Sequence, residues 1–315
     1  MSFLSTRVVA DSLASAFAAL VNPAAKPGVR FLEIPGRTTA TSIPTRHGDT
    51  SATIYHPAEQ TGRRPAVYLN VHGGGFVIGH PEQDDPWCRY LAAHADVVVV
   101  NTDYVLAPHR RFPSPAEQIY DVLQWVSSAD REWDGTRVCV GGQSAGGNLS
   151  AAAARLALLN GGPDIRLQVL HYATLDLVTA TKDKKSDRGR RAVLQPWMGD
   201  VFDTAYIPDR VRRRDPLASP AWGPNGDHLE GIAPALVITA EYDRLRDEAA
   251  TYARKLDAVG SLVEYHEVKG VDHGYNIMSN ETDVTRRMYA FIADHVVRAT
   301  SATTPKRRHD PHNHL

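Results

Sequence analysis

The chain has 315 residues, 43% of them hydrophobic and 23% charged, which are the proportions of a globular protein with a large core. Its 35 lysines and arginines nearly balance 36 aspartates and glutamates, and a formal net charge of -1 argues against a dedicated nucleic-acid-binding protein. No apolar run approaches the ~20 residues of a membrane span, and Cys88 and Cys139 occur in unrelated patterns that predict reduced, buried thiols instead of a disulfide framework or a metal site.

Residues 1–45 are predicted to form a cap helix and a lead-in to the main domain. Apolar residues recur at helical spacing over residues 3–21, and the helix is expected to end near Asn22. A signal peptide is not favoured, because Arg7 alone supplies early positive charge and Asp11 interrupts the apolar stretch. A cytoplasmic protein is therefore expected. Three antiparallel edge strands are predicted around this boundary: Val29–Ile34, Thr38–Ile43 and Ser51–Tyr55.

From Arg64 onward, strand-like apolar runs alternate with helical patterns. The predicted strands are Pro65–Val71, Val97–Val100, Arg137–Val140, Arg166–Leu170, Ala235–Thr239 and Leu262–Val268. The predicted helices are Asp85–His94, one opened by Ser114 and Glu117 as a capping box, Asn148–Leu159, Asp247–Ala258 and Asp283–Val297. This alternation predicts an α/β fold with a central, mostly parallel sheet and helices on both faces, its core formed by residues 46–178 and 215–298.

Two segments break the alternation. Residues 179–214 are too long for an ordinary loop and are predicted to be a cap insertion, whose basic residues form a solvated surface and not a nucleic-acid site. The insertion carries the basic clusters Lys182–Arg191 and Arg210–Arg214 and the aromatic residues Trp197, Phe202 and Tyr206. Residues 299–315 have little to bury and are predicted to be a disordered tail. Its histidines, which are expected to be solvated and not to bind metal, are His309, His312 and His314.

The segment Gly142-Gln143-Ser144-Ala145-Gly146 matches the pattern G-x-S-x-G. It follows a predicted strand and opens a predicted helix, which is the context that gives this pattern a catalytic meaning. Ser144 is the candidate nucleophile, and the N–H group of Ala145, at the start of the helix, can face a developing oxyanion. The alternative is a simple glycine-rich turn.

A second glycine-rich segment, His72-Gly73-Gly74-Gly75-Phe76, directly follows the Pro65–Val71 strand. Glycines let the backbone approach a substrate closely and present N–H groups that a side chain would screen. Gly73 and Gly74 are therefore candidate oxyanion donors, whereas His72 is expected to orient the loop. The alternative, a phosphate-binding turn, lacks the lysine and the glycine spacing of the known nucleotide-binding motifs.

A serine nucleophile needs a base, and His273 is the candidate because it follows the Leu262–Val268 strand. His266 lies within that strand and His295 within the last helix, so both are expected to be structural.

The base in turn needs an acid that orients its ring. Asp243 is the candidate, because it follows the Ala235–Thr239 strand. Asp247 remains an alternative, although a carboxylate at the start of a helix is favoured whatever the function. Asp272 is too close to His273 in sequence to orient its ring easily.

Together these segments resemble the hormone-sensitive-lipase-like esterases, the bacterial group marked by an HGGG motif. The resemblance runs from about Arg64 to Ile292. Its other blocks are Tyr104-Val105-Leu106-Ala107-Pro108, Gly142–Asn148, Asp215-Pro216-Leu217-Ala218-Ser219-Pro220, Asp243–Glu248 and His273-Gly274-Tyr275.

The resemblance implies an α/β-hydrolase fold, with a cap made of the N-terminal helix and residues 179–214 over the acyl pocket. It also implies oxyanion donors at Gly73, Gly74 and Ala145, and the triad Ser144, Asp243 and His273. Members of this family hydrolyse esters with short to medium acyl chains and need no cofactor, so a small ester is the expected substrate. The sequence leaves a homodimer open.

Three positions depart from the family pattern. Gln143 stands where an acidic residue is usual, so the hydrogen-bond network beside Ser144 must differ. Val105 and His109 replace the usual arginine and glutamate. Two other functions stay open: a catalytically silent ligand receptor on the same fold, which typically lacks the catalytic histidine, and another acyl-transfer activity such as that of an amidase or an acyltransferase.

Overall fold

A computed structural model describes residues 3–21, 31, 33–34, 36–58, 63–279 and 282–301. Within them lies one eight-stranded sheet of strand order β1-β2-β4-β3-β5-β6-β7-β8. The strands are β1 (Arg37–Ile43), β2 (Thr50–His56), β3 (Ala66–Val71), β4 (Val97–Thr102), β5 (Val138–Gln143), β6 (Ile165–His171), β7 (Ala235–Ala240) and β8 (Leu262–Val268). Two of the seven strand pairs, β1–β2 and β2–β4, are antiparallel and the other five are parallel, so the prediction of a mostly parallel sheet is confirmed.

Helices cover both faces of this sheet, as predicted. The α-helices are α1 (Arg7–Val21), α2 (Asp85–Ala95), α3 (Ser114–Val126), α4 (Ala145–Asn160), α5 (Pro196–Tyr206), α6 (Arg246–Ala258), α7 (Tyr275–Met278) and α8 (Thr282–Ser301). Side chains alternate along the strands: Val67 and Leu69 pack with α3 and α4 on one face, and Tyr68 packs with α2 and α8 on the other. Cys139 and Cys88 are buried and free, as expected.

Three local predictions differ from the structure. Ser114 is not the N-cap of α3, because Pro113 holds that position and no side chain caps the helix. Of the predicted strand Val29–Ile34, the described residues Phe31, Glu33 and Ile34 are not in a strand. Helix α8 continues to Ser301, past the predicted boundary at 298; the tail histidines lie outside the described residues.

Helices α1 and α5 pack against each other through aromatic rings. The Phe17 ring on α1 lies 5.8 Å from the Trp197 ring and 5.7 Å from the Phe202 ring on α5. The Tyr206 ring stacks on the Phe76 ring at 3.9 Å, so α5 lies over the loop that follows β3. The predicted division into cap and core stays a prediction.

The basic clusters of residues 179–214 are exposed, as expected, except for two residues whose side chains are buried, Lys184 and Arg213. Lys184 Nζ lies 2.5 Å from the Glu248 carboxylate on α6 and donates to the Asp176 carbonyl at 2.6 Å. Arg213 donates to the Ile207 carbonyl at 2.9 Å. Burial raises the pKa of Glu248 to about 7, while the Lys184 ammonium acts in the opposite direction. The Lys184–Glu248 ion pair links residues 179–214 to helix α6 of the core.

We expect Lys184→Met to lower the free energy of unfolding by about 3 kcal/mol, because it leaves the buried Glu248 carboxyl without its partner. The measurement is urea unfolding at pH 7.5, followed by tryptophan fluorescence. The neighbouring Lys185 is exposed, so Lys185→Met should change the same free energy by less than about 0.5 kcal/mol. Equal stability of the two variants would show that the ion pair contributes nothing net.

Candidate active site

The turn that carries Ser144 joins β5 to α4. Ser144 has φ 55° and ψ −117°, a left-handed conformation that is strained for any residue other than glycine. The turn packs against the end of β3, since a Cβ at Gly142 or Gly146 would lie 2.2 Å or 1.9 Å from the Val71 carbonyl oxygen. This close packing starts α4 at Ala145 and not at the predicted Asn148, and it presents the Ser144 hydroxyl at the carboxyl edge of the sheet.

Two further strand ends bring an imidazole and a carboxylate to Ser144. His273 follows β8, and its Nε2 lies 3.0 Å from Ser144 Oγ. Asp243 follows β7, and its Oδ2 lies 2.7 Å from His273 Nδ1. The side chains of His273 and Asp243 are only 6% and 1% exposed. Because the carboxyl ends of parallel strands meet at one edge, the three candidate residues lie within hydrogen-bond reach of one another.

The other candidate acids and bases have different surroundings. Asp247 is exposed and pairs with Arg246 at 3.1 Å. Asp272 accepts the backbone N–H of His273 at 2.7 Å and that of Val193 at 3.1 Å, so it fixes the loop and not the imidazole ring. His295 contacts Glu264 at 3.2 Å.

The glycine-rich loop after β3 lies beside the nucleophile. A Cβ at Gly73 would lie 3.7 Å from Ser144 Cβ. Gly74 has φ 127°, and its carbonyl accepts the N–H groups of Val77 and Ile78 at 3.1 Å and 2.9 Å. The turn begins at Gly74, so Gly73 and Gly74, with their backbone N–H groups, both lie on the loop that borders Ser144. Ala145, as the first residue of α4, has an N–H group without an intrahelical acceptor.

His72 is fully buried and braces this loop. Its ring stacks on Tyr104 at 4.3 Å, and its Nδ1 lies 2.6 Å from the Gly73 carbonyl oxygen. Burial lowers the pKa of His72 to about 4, so at neutral pH the ring is uncharged and donates from Nδ1 to that carbonyl. Tyr104 also stabilises the backbone of the loop, because its hydroxyl donates to the His72 carbonyl at 3.1 Å.

Gln143, the unusual residue before the nucleophile, belongs to a buried polar network. Its Nε2 donates to Asp84 Oδ1 at 3.1 Å, and its Oε1 accepts from Asn276 Nδ2 at 2.9 Å and from the Tyr172 hydroxyl. The sequence indicated a changed network here but none of these partners. Asp84 directly precedes the predicted helix Asp85–His94, a position where a carboxylate is expected without any functional reason.

Val105 and His109 stand where the family usually has an arginine and a glutamate, and the loop that carries Val105 is held by a hydrogen bond to a glutamine side chain. The backbone N–H of Val105 donates to Gln118 Oε1 at 2.7 Å, and Gln118 lies on α3. A side-chain amide therefore fixes this loop from the helix that follows it.

Two other features are absent from the described residues. No group of three or more histidine, cysteine, aspartate or glutamate side chains among them is arranged to hold a metal ion. None of the described helices combines the length and the apolar character that crossing a membrane would require.

Known proteins of one fold family are similar to this chain. Residues 68–277 match a family model described as the alpha/beta hydrolase fold. The chain is 34% identical to carboxylesterase NlhH of Mycobacterium tuberculosis, over 75% of this chain and 72% of that protein. It is 32% identical to an ethyl acetate hydrolase of Pseudomonas putida, over 76% of each chain. A solved esterase of Pyrobaculum calidifontis has a TM-score of 0.77 and 31% identity, covering 94% of this chain and 92% of that one.

Proposed function

This chain belongs to the alpha/beta hydrolase family and is a carboxylic ester hydrolase, and from that premise we propose that Ser144, His273 and Asp243 are its catalytic triad. The N–H groups of Gly73, Gly74 and Ala145 are the proposed oxyanion donors. The observation that carries the proposal is the unbroken contact from Ser144 Oγ through the His273 ring to the Asp243 carboxylate, at 3.0 Å and 2.7 Å.

Acylation begins with proton transfer from the nucleophile. The Asp243 carboxylate can only accept hydrogen bonds, so it keeps the His273 proton on Nδ1 and leaves the Nε2 lone pair facing Ser144. As Ser144 Oγ attacks the ester carbonyl carbon, His273 Nε2 takes the hydroxyl proton. The negative charge that develops on the carbonyl oxygen is stabilised by the backbone N–H donors, each worth about 3 kcal/mol in such sites.

Collapse of the tetrahedral intermediate breaks the bond to the alcohol oxygen. His273 returns its proton to that oxygen, the alcohol leaves, and the acyl group stays on Ser144. A water molecule then gives its proton to Nε2 and attacks the acyl carbonyl, and the second tetrahedral intermediate releases the acid and restores Ser144. Asp243 stabilises the imidazolium that forms in both halves.

We propose short- to medium-chain esters as substrates. Phe202 of α5 lies directly on the glycine-rich loop, because a Cβ at Gly75 would be 2.5 Å from the Phe202 ring. Phe17 of α1 packs against the same ring. An aromatic wall this close to the oxyanion loop limits the length of acyl chain that the space can take.

Hydrolysis of p-nitrophenyl esters from acetate to palmitate tests this function. We expect the highest kcat/KM between acetate and octanoate, and a steep decrease for longer chains. Phe202→Ala should increase the ratio of kcat/KM for palmitate to that for acetate by about tenfold, because it removes the ring that limits the space. Phe3, which is 76% exposed, provides the control variant Phe3→Ala.

The two parts of this test can fail separately. An unchanged ratio in Phe202→Ala would show that another residue sets the chain-length limit. An absence of hydrolysis for every ester, with protein that is folded by circular dichroism, would contradict the ester hydrolase assignment and favour the ligand-receptor alternative.

A further inference from the structure

A buried carboxylate lies in the polar network behind Ser144. Asp84, between β3 and α2, is 1% exposed. Its Oδ1 accepts from Gln143 Nε2 at 3.1 Å, and its Oδ2 accepts from Asn70 Nδ2 at 2.8 Å. Among the described residues Asp84 forms no ion pair, so its charge is stabilised only by the two amide groups and by its position at the N-terminus of α2. A buried carboxylate without a counter-charge is costly and calls for a functional explanation.

On the other side of Gln143, the network reaches the loop of the proposed base. Asn276 lies on α7, three residues after His273, and donates to Gln143 Oε1 at 2.9 Å. The Tyr172 hydroxyl contacts both Gln143 and Asn276 Oδ1, and the Tyr172 ring packs edge-to-face on the His273 imidazole at 4.8 Å. One side chain, Gln143, thus joins the nucleophile turn to the segment that carries the base.

The direction of these hydrogen bonds depends on Asp84. An ionised carboxylate only accepts, so the Gln143 amide must present its NH₂ group to Asp84 and its oxygen to Asn276 and Tyr172. A protonated Asp84 can donate, and the amide of Gln143 then loses the partner that fixes its orientation. The ionisation state of Asp84 therefore selects one orientation of the amide beside Ser144.

We propose that Asp84 is a positioning residue of the acyl-transfer site: its carboxylate orients Gln143, and Gln143 holds the Ser144 turn in register with the loop that carries His273. This role rests on the proposed triad. Asp84 touches neither the substrate nor the reacting atoms, so it acts through Gln143.

The surroundings of Asp84 place its titration in an observable range. Burial raises the pKa of Asp84 to about 7, while the hydrogen bond from Asn70 acts in the opposite direction. The titratable groups that face it are Tyr68 on β3, Cys88 on α2, and the loop residues Tyr104 and Tyr172. The carboxylate of the adjacent Asp85 also faces Cys88, and its charge is paired with that of Arg89 at 2.8 Å. Kcat should therefore fall in a step as the pH decreases through about 7.

The experiment is a double-mutant cycle on p-nitrophenyl acetate hydrolysis between pH 5 and pH 9. Asp84→Asn should lower kcat about 10- to 100-fold with KM within about twofold, and it should abolish the step near pH 7, because it cannot ionise. Gln143→Glu should be comparably impaired, since it places two carboxyls in contact. The double variant Asp84→Asn with Gln143→Glu should recover kcat to within about threefold of the wild type, because the relocated carboxylate accepts from every donor around it.

Asn70→Ala is the matched control, as it removes the other hydrogen bond to Asp84 and leaves Gln143 untouched. At pH 9 it should keep kcat within about threefold of the wild type, and its step should move to higher pH. A merely structural network would make Asn70→Ala and Asp84→Asn equally impaired at every pH, with no recovery in the double variant. Thermal unfolding of each variant separates loss of fold from loss of positioning.

Two further outcomes are distinguishable. If Asp84→Asn keeps the kcat and the pH profile of the wild type, the role of Asp84 is overturned and the triad stands. If the wild type shows no hydrolysis that depends on Ser144, the proposed function fails, and the role of Asp84 fails with it.

Discussion

Replacement of Ser144 by alanine is expected to lower kcat for p-nitrophenyl acetate by about 10⁵- to 10⁶-fold. The variant lacks Ser144 Oγ, the proposed nucleophile, which lies 3.0 Å from His273 Nε2. No acyl-enzyme can therefore form. The backbone donors of the glycine-rich loop remain, and a residual rate above that of water is therefore expected. Steady-state release of p-nitrophenolate measures the loss.

Ser150 supplies a matched control on the same helix. Its hydroxyl donates only to the Gly146 carbonyl one turn earlier, at 2.8 Å, so Ser150→Ala should keep kcat within about threefold. A second readout is covalent: diethyl p-nitrophenyl phosphate should inactivate the wild type by modifying the peptide that contains Ser144, and it should leave Ser144→Ala unmodified. Substantial hydrolysis by Ser144→Ala would mean that another residue is the nucleophile.

The sequence was sufficient to predict which residues of the candidate site lie together, where this follows from the topology of a parallel sheet. Ser144, Asp243 and His273 each follow a predicted strand by only a few residues, and parallel strands end at one edge. The family resemblance that those motifs carry is confirmed by relatives named as carboxylesterases. The glycines around Ser144 were informative for a steric reason, because the Val71 carbonyl leaves no room for a Cβ at Gly146.

The features that the sequence did not indicate depend on partners distant in the chain. Lys184 reads as one charge in a basic run, yet its partner is Glu248 on α6. Glu117 has the spacing of a capping box, yet its carboxylate contacts His47 at 2.7 Å and the cap does not form. Asp84 directly precedes a predicted helix, where an acidic residue is common, and only the fold brings it to Gln143. Local patterns cannot reveal such contacts, because tertiary packing selects them.

Asp243→Asn is expected to lower kcat about 10⁴-fold while leaving the fold intact. The amide is nearly the same shape as the carboxylate, but its NH₂ group faces His273 Nδ1 and favours a proton on Nε2, the atom that must accept from Ser144. The backbone N–H of Leu245, which donates to Asp243 Oδ1 at 2.9 Å, keeps the side chain in place in both proteins. The loss should therefore appear in kcat, with KM nearly unchanged.

Asp247→Asn is the control that decides between the two acids left open by the sequence. Asp247 is 63% exposed and pairs with Arg246 in solvent, so its loss should change kcat less than about twofold. The same large decrease in both variants would mean that the segment as a whole is needed for folding, which thermal unfolding would reveal. A large decrease only in Asp247→Asn would transfer the role of acid to that residue, and the 2.7 Å contact between Asp243 and His273 would then have to be a consequence of packing alone.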